Sequence, residues 1–267
     1  MRETVELIQE SDISFFDANC MVGKWPDYFE GSFYSPEDLI KEMHYCAIDD
    51  ALVYHSLSKY YEPATGNREI LESVKRHPML HPSWVLLPSQ TSEMLQPDDI
   101  AREMVDNNVH AARLFPRLHN FLLEQSLYDL LAVLTNHRIP LFIDCGNLHW
   151  SEKCIPWAEI RRVCENFPEL PVVLIRIGIG DNRMLYPLLE AAQNLYIEIS
   201  YYQTHDGLEQ ICKRFGPERL LFGSDMPIFA PGPPVTMVMH ADVPKETKRL
   251  IAGDNLRNLL GNVKSFN

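Results

Sequence analysis

The stretch Arg219-Leu220-Leu221-Phe222-Gly223-Ser224-Asp225-Met226-Pro227 decides how the rest of the chain is read. A largely apolar run ends in Gly-Ser-Asp, and a proline stops it shortly afterwards. This is the form of a short strand buried on both faces that delivers one carboxylate at its C-terminal end. Such a carboxylate is costly unless a cation pairs with it or a metal binds it, so Asp225 is a site candidate. The plainer reading is an aspartate that caps a turn. The segments upstream have to choose between the two.

Working back from Leu220, apolar runs alternate with helical patterns all the way to the N-terminus. Strands are predicted at 13–19, 51–55, 83–87, 109–115, 140–145, 171–177 and 195–200, with the stretch at Leu220 as the eighth. Helices are predicted between them at about 35–46, 67–77, 97–106, 126–136, 157–166, 184–193 and 206–215, and closing helices at 245–252 and 255–260. Ser35-Pro36-Glu37-Asp38 is a serine cap with proline at the first helical position and acids in the first turn. Pro187 is expected in the first turn of its helix. Eight strand-helix units without a composition break predict an α/β fold, a single (β/α)8 TIM barrel spanning 1–267. A doubly wound dinucleotide-binding sheet is the competitor. Gly178-Ile179-Gly180 follows a strand, but the phosphate fingerprint needs a glycine where Arg183 stands.

Composition bounds the function. The chain has 267 residues, 46% hydrophobic and 23% charged, with 24 Lys and Arg against 37 Asp and Glu for a net charge of −13. That is an ordinary globular profile, and the absence of a basic block argues against nucleic acid and anionic membrane as partners. There is no signal-peptide pattern and no run of about 18 apolar residues. The six cysteines are scattered without Cys-x-x-Cys and read as reduced, mostly structural thiols. A cytoplasmic location is the resulting expectation. Cys145 should point to the opposite strand face from Asp144.

Active sites on these barrels lie at the C-terminal ends of the strands. Those ends carry Asp17 and Asn19 with Met21, then His55, Arg113, Asp144, Arg176, Tyr201 and Asp225. Each has a bland explanation when taken alone. An arginine is a surface residue if the strand register is off by one, and a lone histidine is usually structural. Together they predict a polar pocket beside the packed core. The long segments 21–34 and 226–243 leave from the ends where lids belong. Trp25, Tyr28, Phe29 and Phe33 would line the mouth or bury a homodimer contact.

The chain resembles the amidohydrolase superfamily, in the amidohydrolase-related branch that includes aminocarboxymuconate semialdehyde decarboxylase, resorcylate-type decarboxylases and pyrone dicarboxylate lactonases. The resemblance runs from Phe15 to Gly261. It rests on Phe16-Asp17-Ala18, Val109-His110-Ala111-Ala112-Arg113-Leu114, Phe167-Pro168-Glu169-Leu170-Pro171, Arg219 through Pro227, and Ile251-Ala252-Gly253-Asp254-Asn255-Leu256. It implies the (β/α)8 barrel and a divalent metal held by His-x-His on strand one, histidines on strands five and six, and an aspartate on strand eight. Here those positions look like Asn19, Met21, Asp144, Arg176 and Asp225.

Methionine is a poor ligand for hard cations, and arginine cannot give up its proton. The inherited metal site should therefore be absent, and no cofactor is expected. The alternative is a relocated divalent metal on Asp17, Asp144, Asp225 and His55 or His205. Without a dication, Asp225 needs a counterion, and Arg176 is the expected one, pairing with Asp144 or Asp225. Arg113 is then expected to stand free to bind a carboxylate.

The predicted function is a metal-independent hydrolase or lyase, lactonase-like or decarboxylase-like, acting on a small carboxylate-bearing (anionic) substrate. Asp225 and Asp144 would be catalytic, with Arg113, Arg176, His55, Asn19 and Tyr201 binding substrate. The alternative is a catalytically inactive barrel kept for small-molecule binding or assembly.

Overall fold

The structure, a computed structural model, describes residues 2–27, 29–144 and 155–265. Cys145, Cys154 and Tyr28 lie outside the described residues. In chain order the elements are α1 (Arg2–Ser11), β1 (Phe15–Val22), α2 (Pro36–Tyr45), β2 (Ile48–His55), α3 (Ser56–Tyr60), α4 (Pro63–Val74), β3 (Leu80–Pro82), β4 (Trp84–Val85) and α5 (Pro97–Asp106). The second half adds β5 (Ala112–Leu114), α6 (Tyr128–His137), β6 (Leu141–Asp144), α7 (Trp157–Asn166), β7 (Val172–Ile175), α8 (Asn182–Ala191), β8 (Leu195–Glu198), α9 (Gly207–Phe215), β9 (Leu220–Leu221), α10 (Gly232–His240), α11 (Lys245–Arg249) and α12 (Asn255–Gly261).

All strand pairs are parallel, in the orders β1-β2-β3 and β4 through β9. Two junctions turn these sheets into one barrel. Ser83, between β3 and β4, donates its amide to Val53 O at 2.8 Å, while Trp84 N bonds Ala111 O at 3.1 Å. β3 and β4 are thus the halves of one barrel strand that changes partners at Ser83. At the seam, Ala18 N bonds Phe222 O at 2.9 Å and Met21 N bonds Met226 O at 2.8 Å, with a parallel bridge from Cys20 to Met226. The last strand therefore meets the first, and the (β/α)8 barrel expected from the alternation is the fold.

The strands read as unbroken apolar runs because both faces are covered. In β6 and β7, Leu141, Ile143, Val172 and Leu174 face the helices and join the large outer core. Phe142, Val173 and Ile175 face inward, with Phe16, Ala18, Leu52, Ala111 and Leu221. The same pleat turns Asp144 inward, one step above Phe142.

Several boundaries differ from expectation. β1 runs on to Val22, so Asn19 and Met21 lie within it rather than at its end. α8 begins at Asn182, which puts Pro187 inside the helix and not in its first turn. α1, α3 and α10 were not anticipated: α3 is only five residues long and α10 is entered through prolines and weakly periodic, whereas α1 is an amphipathic helix of ordinary length. The segment predicted as 245–252 splits into α11 and a π-helical turn, Leu250–Asp254. The Ser35 cap forms as predicted, its hydroxyl accepting from Asp38 N at 3.1 Å. Cys20, Cys46, Cys164 and Cys212 are free thiols. No helix among the described residues is long and apolar enough to cross a membrane.

Candidate active site

The strand ends deliver an ionic chain to the barrel mouth. Arg176 follows β7, and its Nη2 sits against both oxygens of Asp225, 3.1 Å from Oδ1 and 2.9 Å from Oδ2. Its Nε stands 3.5 Å from Asp144 Oδ2, and the Nζ of Lys59 stands 3.5 Å from the same oxygen. The sequence therefore places Asp225–Arg176–Asp144–Lys59 in one line of alternating charge. The expected pairing of Arg176 with these acids is present, with both acids engaged. Asp225 is not a turn cap by its side chain. Its backbone carbonyl accepts from Ile228 N at 2.9 Å and Phe229 N at 3.2 Å, leaving the carboxylate for the site.

Two features set this cluster apart from a structural ion pair. Arg176 and Asp225 have φ of +63° and +59°, the left-handed region that L-residues enter at a cost of about 1–3 kcal/mol. In addition, Arg176 Nε and Asp225 Oδ2 are buried and make ion pairs but no well-aligned hydrogen bond among the described residues. Burial alone would lower the Arg176 guanidinium, but Asp144 and Asp225 outweigh it and hold it firmly charged. Burial raises Asp225 above the usual carboxylate range, against the pull of Arg176 and Lys59. Burial also brings Lys59 down to about 8, helped by the neighbouring Arg176 and opposed by Asp144 and Asp225.

Beneath this chain lies a supporting layer. Asn19 donates Nδ2 to Asp225 Oδ1 at 3.1 Å and accepts from Arg113 Nη1 at 3.0 Å. The remaining Arg113 nitrogens are also committed: Nη2 to Ala18 O at 2.7 Å and Nε to Ser83 Oγ at 2.8 Å. Its guanidinium lies 4.8 Å from the Tyr54 ring centre and 5.0 Å from that of Phe142. With 1% exposure and its nitrogens turned inward, Arg113 is not free to bind a carboxylate. That expectation is corrected: Arg113 holds Asn19, and Asn19 orients Asp225. Asp17 is lower still. Its Oδ1 accepts from Asn19 N at 2.9 Å and Ser224 N at 3.0 Å, and burial raises it to about 6 despite those bonds.

His55 is also corrected. Its Nδ1 accepts from Leu57 N at 3.2 Å and so caps α3, and burial lowers its pKa with only Glu69 opposing. It caps the turn that carries Lys59 and takes no place in the ionic chain. Tyr201 does lie by the cluster: burial raises its pKa, with Arg176, Asp225 and Asp144 all bearing on it, and its ring meets Phe229 at 5.1 Å. An apolar wall stands alongside, made of Met21, Trp25, Tyr54, Val85 and Phe115 with Tyr34 and Tyr60 at its edge. Of the aromatics expected there, Trp25 joins it, Phe29 is exposed and Phe33 packs against the outer core.

Two buried ionisable residues escaped the sequence reading. Lys59 sits in Ser56-Leu57-Ser58-Lys59-Tyr60-Tyr61, immediately after a strand end, where a lone cation among apolar residues was the available signal. Glu198 accepts from Ser200 N and, at 2.8 Å, from Ser200 Oγ; burial raises it to about 8. Its signal was an inward position in an apolar strand.

The donor set among the described residues does not suit a divalent ion. Among the described residues no three His, Cys, Asp or Glu side chains converge on one point. His205 is exposed beside Asp206, and His55 is spent on its helix cap, so neither joins Asp144 and Asp225. Those two carboxylates already face a guanidinium and an ammonium, which would repel a dication from the same space.

Known proteins share this architecture. No curated protein sequence matches the chain. The 5-carboxyvanillate decarboxylase of Novosphingobium aromaticivorans, solved with manganese and 4-hydroxy-3-methoxy-5-nitrobenzoic acid, aligns with a TM-score of 0.75 at 12% identity, over 94% of this chain and 97% of its own. The 2,6-dihydroxybenzoate decarboxylase from Rhizobium aligns at 0.73 and 12% identity, over 93% and 98%. An uncharacterised TIM-barrel protein of Bordetella bronchiseptica aligns at 0.72 and 17% identity, over 94% and 99%. At such identities the likeness speaks for the fold. A sequence model described as amidohydrolase matches residues 64–261, well over half of the chain. The chain belongs to the amidohydrolase family.

Proposed function

We propose that the chain is a lyase that decarboxylates a small carboxylate-bearing substrate at the barrel mouth, without the divalent ion its relatives use. The ionic chain Asp225–Arg176–Asp144–Lys59 carries this reading, because a left-handed backbone at both Arg176 and Asp225 is a cost that a purely structural ion pair does not need. Decarboxylation is preferred to hydrolysis because two solved barrels of this shape are decarboxylases of hydroxybenzoates. The aromatic wall beside the cluster suits a flat apolar body, and the paired cations suit its carboxylate.

The charges of the four side chains cancel when all are ionised. A substrate carboxylate settling on Arg176 and Lys59 adds one negative charge to a buried, low-dielectric space. That favours a proton on the acid whose charge burial already opposes, which is Asp225. As the C–C bond to the departing CO2 breaks, its electron pair stays on the substrate carbon and takes this proton. Arg176 stabilises the negative charge that builds during the step.

The test is CO2 release from a panel of hydroxybenzoates, small dicarboxylates and oxo acids, in protein dialysed against a chelator. Turnover should survive chelation, and Asp225→Asn should lower kcat by about 10²–10⁴-fold. Activity that appears only on adding manganese would overturn the metal-free part. Absence of both binding and turnover across the panel would leave the inactive barrel as the better account.

A further inference from the structure

We propose that Lys59 is an amine nucleophile that forms a Schiff base with the carbonyl of a 3-oxo acid. The inference deepens the decarboxylase reading and rests on it. Lys59 is 5% exposed, and its ammonium lies 5.0 Å from the Phe115 ring centre and 5.3 Å from that of Tyr60. Asp144 Oδ2 faces it at 3.5 Å, and the charge of Asp225 also bears on it. Its ammonium is held between the Asp144 carboxylate and two aromatic faces. Burial beside a second cation, Arg176, is the setting that favours an uncharged, reactive amine. Burial and Arg176 bring its pKa to about 8, so a usable fraction is neutral near pH 7.

The geometry also selects the substrate. Lys59 Nζ and Arg176 Nε each lie 3.5 Å from the same oxygen, Asp144 Oδ2, so they are within about 7 Å of one another. A 3-oxo acid has its carbonyl and carboxylate carbons about 2.5 Å apart. Its carbonyl can therefore meet Lys59 while its carboxylate meets Arg176, whose Nε has no hydrogen-bond partner among the described residues.

The steps balance. Asp144 accepts a proton from the Lys59 ammonium, and the neutral amine attacks the carbonyl carbon. The carbonyl oxygen takes one proton from the attacking nitrogen and the other back from Asp144 and leaves as water, giving an iminium. The C–C bond to the carboxylate breaks, CO2 departs, and the electron pair moves through the new C=C bond to the iminium nitrogen. The resulting enamine carbon takes a proton from Asp225, and water hydrolyses the iminium to ketone and free Lys59. The net change is a 3-oxo acid anion plus one proton to a ketone plus CO2.

The experiment incubates the whole protein with acetoacetate, reduces with borohydride and maps the peptides by mass spectrometry. The expected result is a reduced adduct on the Lys59 peptide, in at least tenfold excess over any other lysine. In Lys59→Arg, which keeps the charge facing Asp144, that adduct and acetoacetate turnover should both be lost. Because the wild-type map alone locates the adduct, the answer does not depend on the variant folding. Adducts spread over surface lysines, or no adduct, would overturn the proposal. So would CO2 release from another carboxylate that persists in Lys59→Arg, and in that case the decarboxylase reading stands while the Schiff base falls. Loss of both trapping and all turnover would bring down the two together.

Discussion

Arg176→Gln tests the ionic chain most directly. Arg176 Nη2 is 2.9 Å from Asp225 Oδ2, and Nε is 3.5 Å from Asp144 Oδ2. At an effective dielectric near 20, such contacts are worth roughly 4–6 kcal/mol each before the cost of burying the guanidinium. The two acids do not suffer equally when it goes. Asp144 keeps Lys59 at 3.5 Å, whereas among the described residues Asp225 keeps Asn19 at 3.1 Å as its hydrogen-bond donor. The net loss should therefore sit on Asp225 and amount to about 3 kcal/mol, the low end for breaking a buried pair. For a chain of this size that is a fall in Tm of about 6–12 °C.

The sign of the pH dependence follows from the same imbalance. Burial already raises Asp225, and losing Arg176 removes the main force holding it down. A carboxylate whose folded pKa lies above its unfolded value weakens the fold as pH climbs from the unfolded value through the folded one. Arg176→Gln should therefore be nearest to wild type in acid and furthest from it at neutral pH. The assay is urea unfolding followed by circular dichroism at about pH 5 and pH 7.5 for wild type, both single variants and Arg176→Gln with Asp225→Asn. The double variant should regain most of the stability lost at pH 7.5. Deficits that simply add, to within about 0.5 kcal/mol, would mean that the two side chains are not coupled and the reasoning is wrong.

Two further outcomes follow from the layer below. Glu198, at about 8, binds a proton in the folded state that the unfolded chain releases at much lower pH, so it weakens the protein between roughly pH 4.5 and 8 at up to about 1.4 kcal/mol per pH unit. Glu198→Gln should flatten that part of the stability profile in a pH series of urea melts; an unchanged slope would show Glu198 ionised throughout. A Cβ at Gly223 would come within 2.6 Å of Glu198 Cγ, so Gly223→Ala should cost about 1–3 kcal/mol, read as a lower urea midpoint with unchanged m-value.

The barrel was legible because its signal is periodic. Runs such as Leu141-Phe142-Ile143 and Val172-Val173-Leu174-Ile175 are buried on both faces, and only a sheet covered by helices on one side and its own interior on the other makes such runs. Within the site, the pairing of Arg176 with Asp144 or Asp225 was legible from charge, since a buried carboxylate calls for a counterion; that it engages both came from the structure. What the sequence hid was direction. Arg113 and Arg176 look alike as arginines at strand ends, yet one points down to Asn19, Ser83 and Ala18 and the other across the mouth. Arg113 lies within β5, two residues beyond inward-facing Ala111, so the pleat turns it into the barrel, whereas Arg176 follows its strand in a left-handed turn. Lys59 was hidden for another reason. It belongs to a turn after the strand, so a survey of strand ends alone passes it by.

The hydrogen bond from Asn19 to Asp225 joins residues 206 positions apart, across the seam where the first strand meets the last. The alignment of that carboxylate is therefore a product of barrel closure and belongs to no single strand-helix unit. Any opening of the seam between the first and last strands would release Asp225 from Asn19, so the order of the mouth and the closure of the barrel stand or fall together.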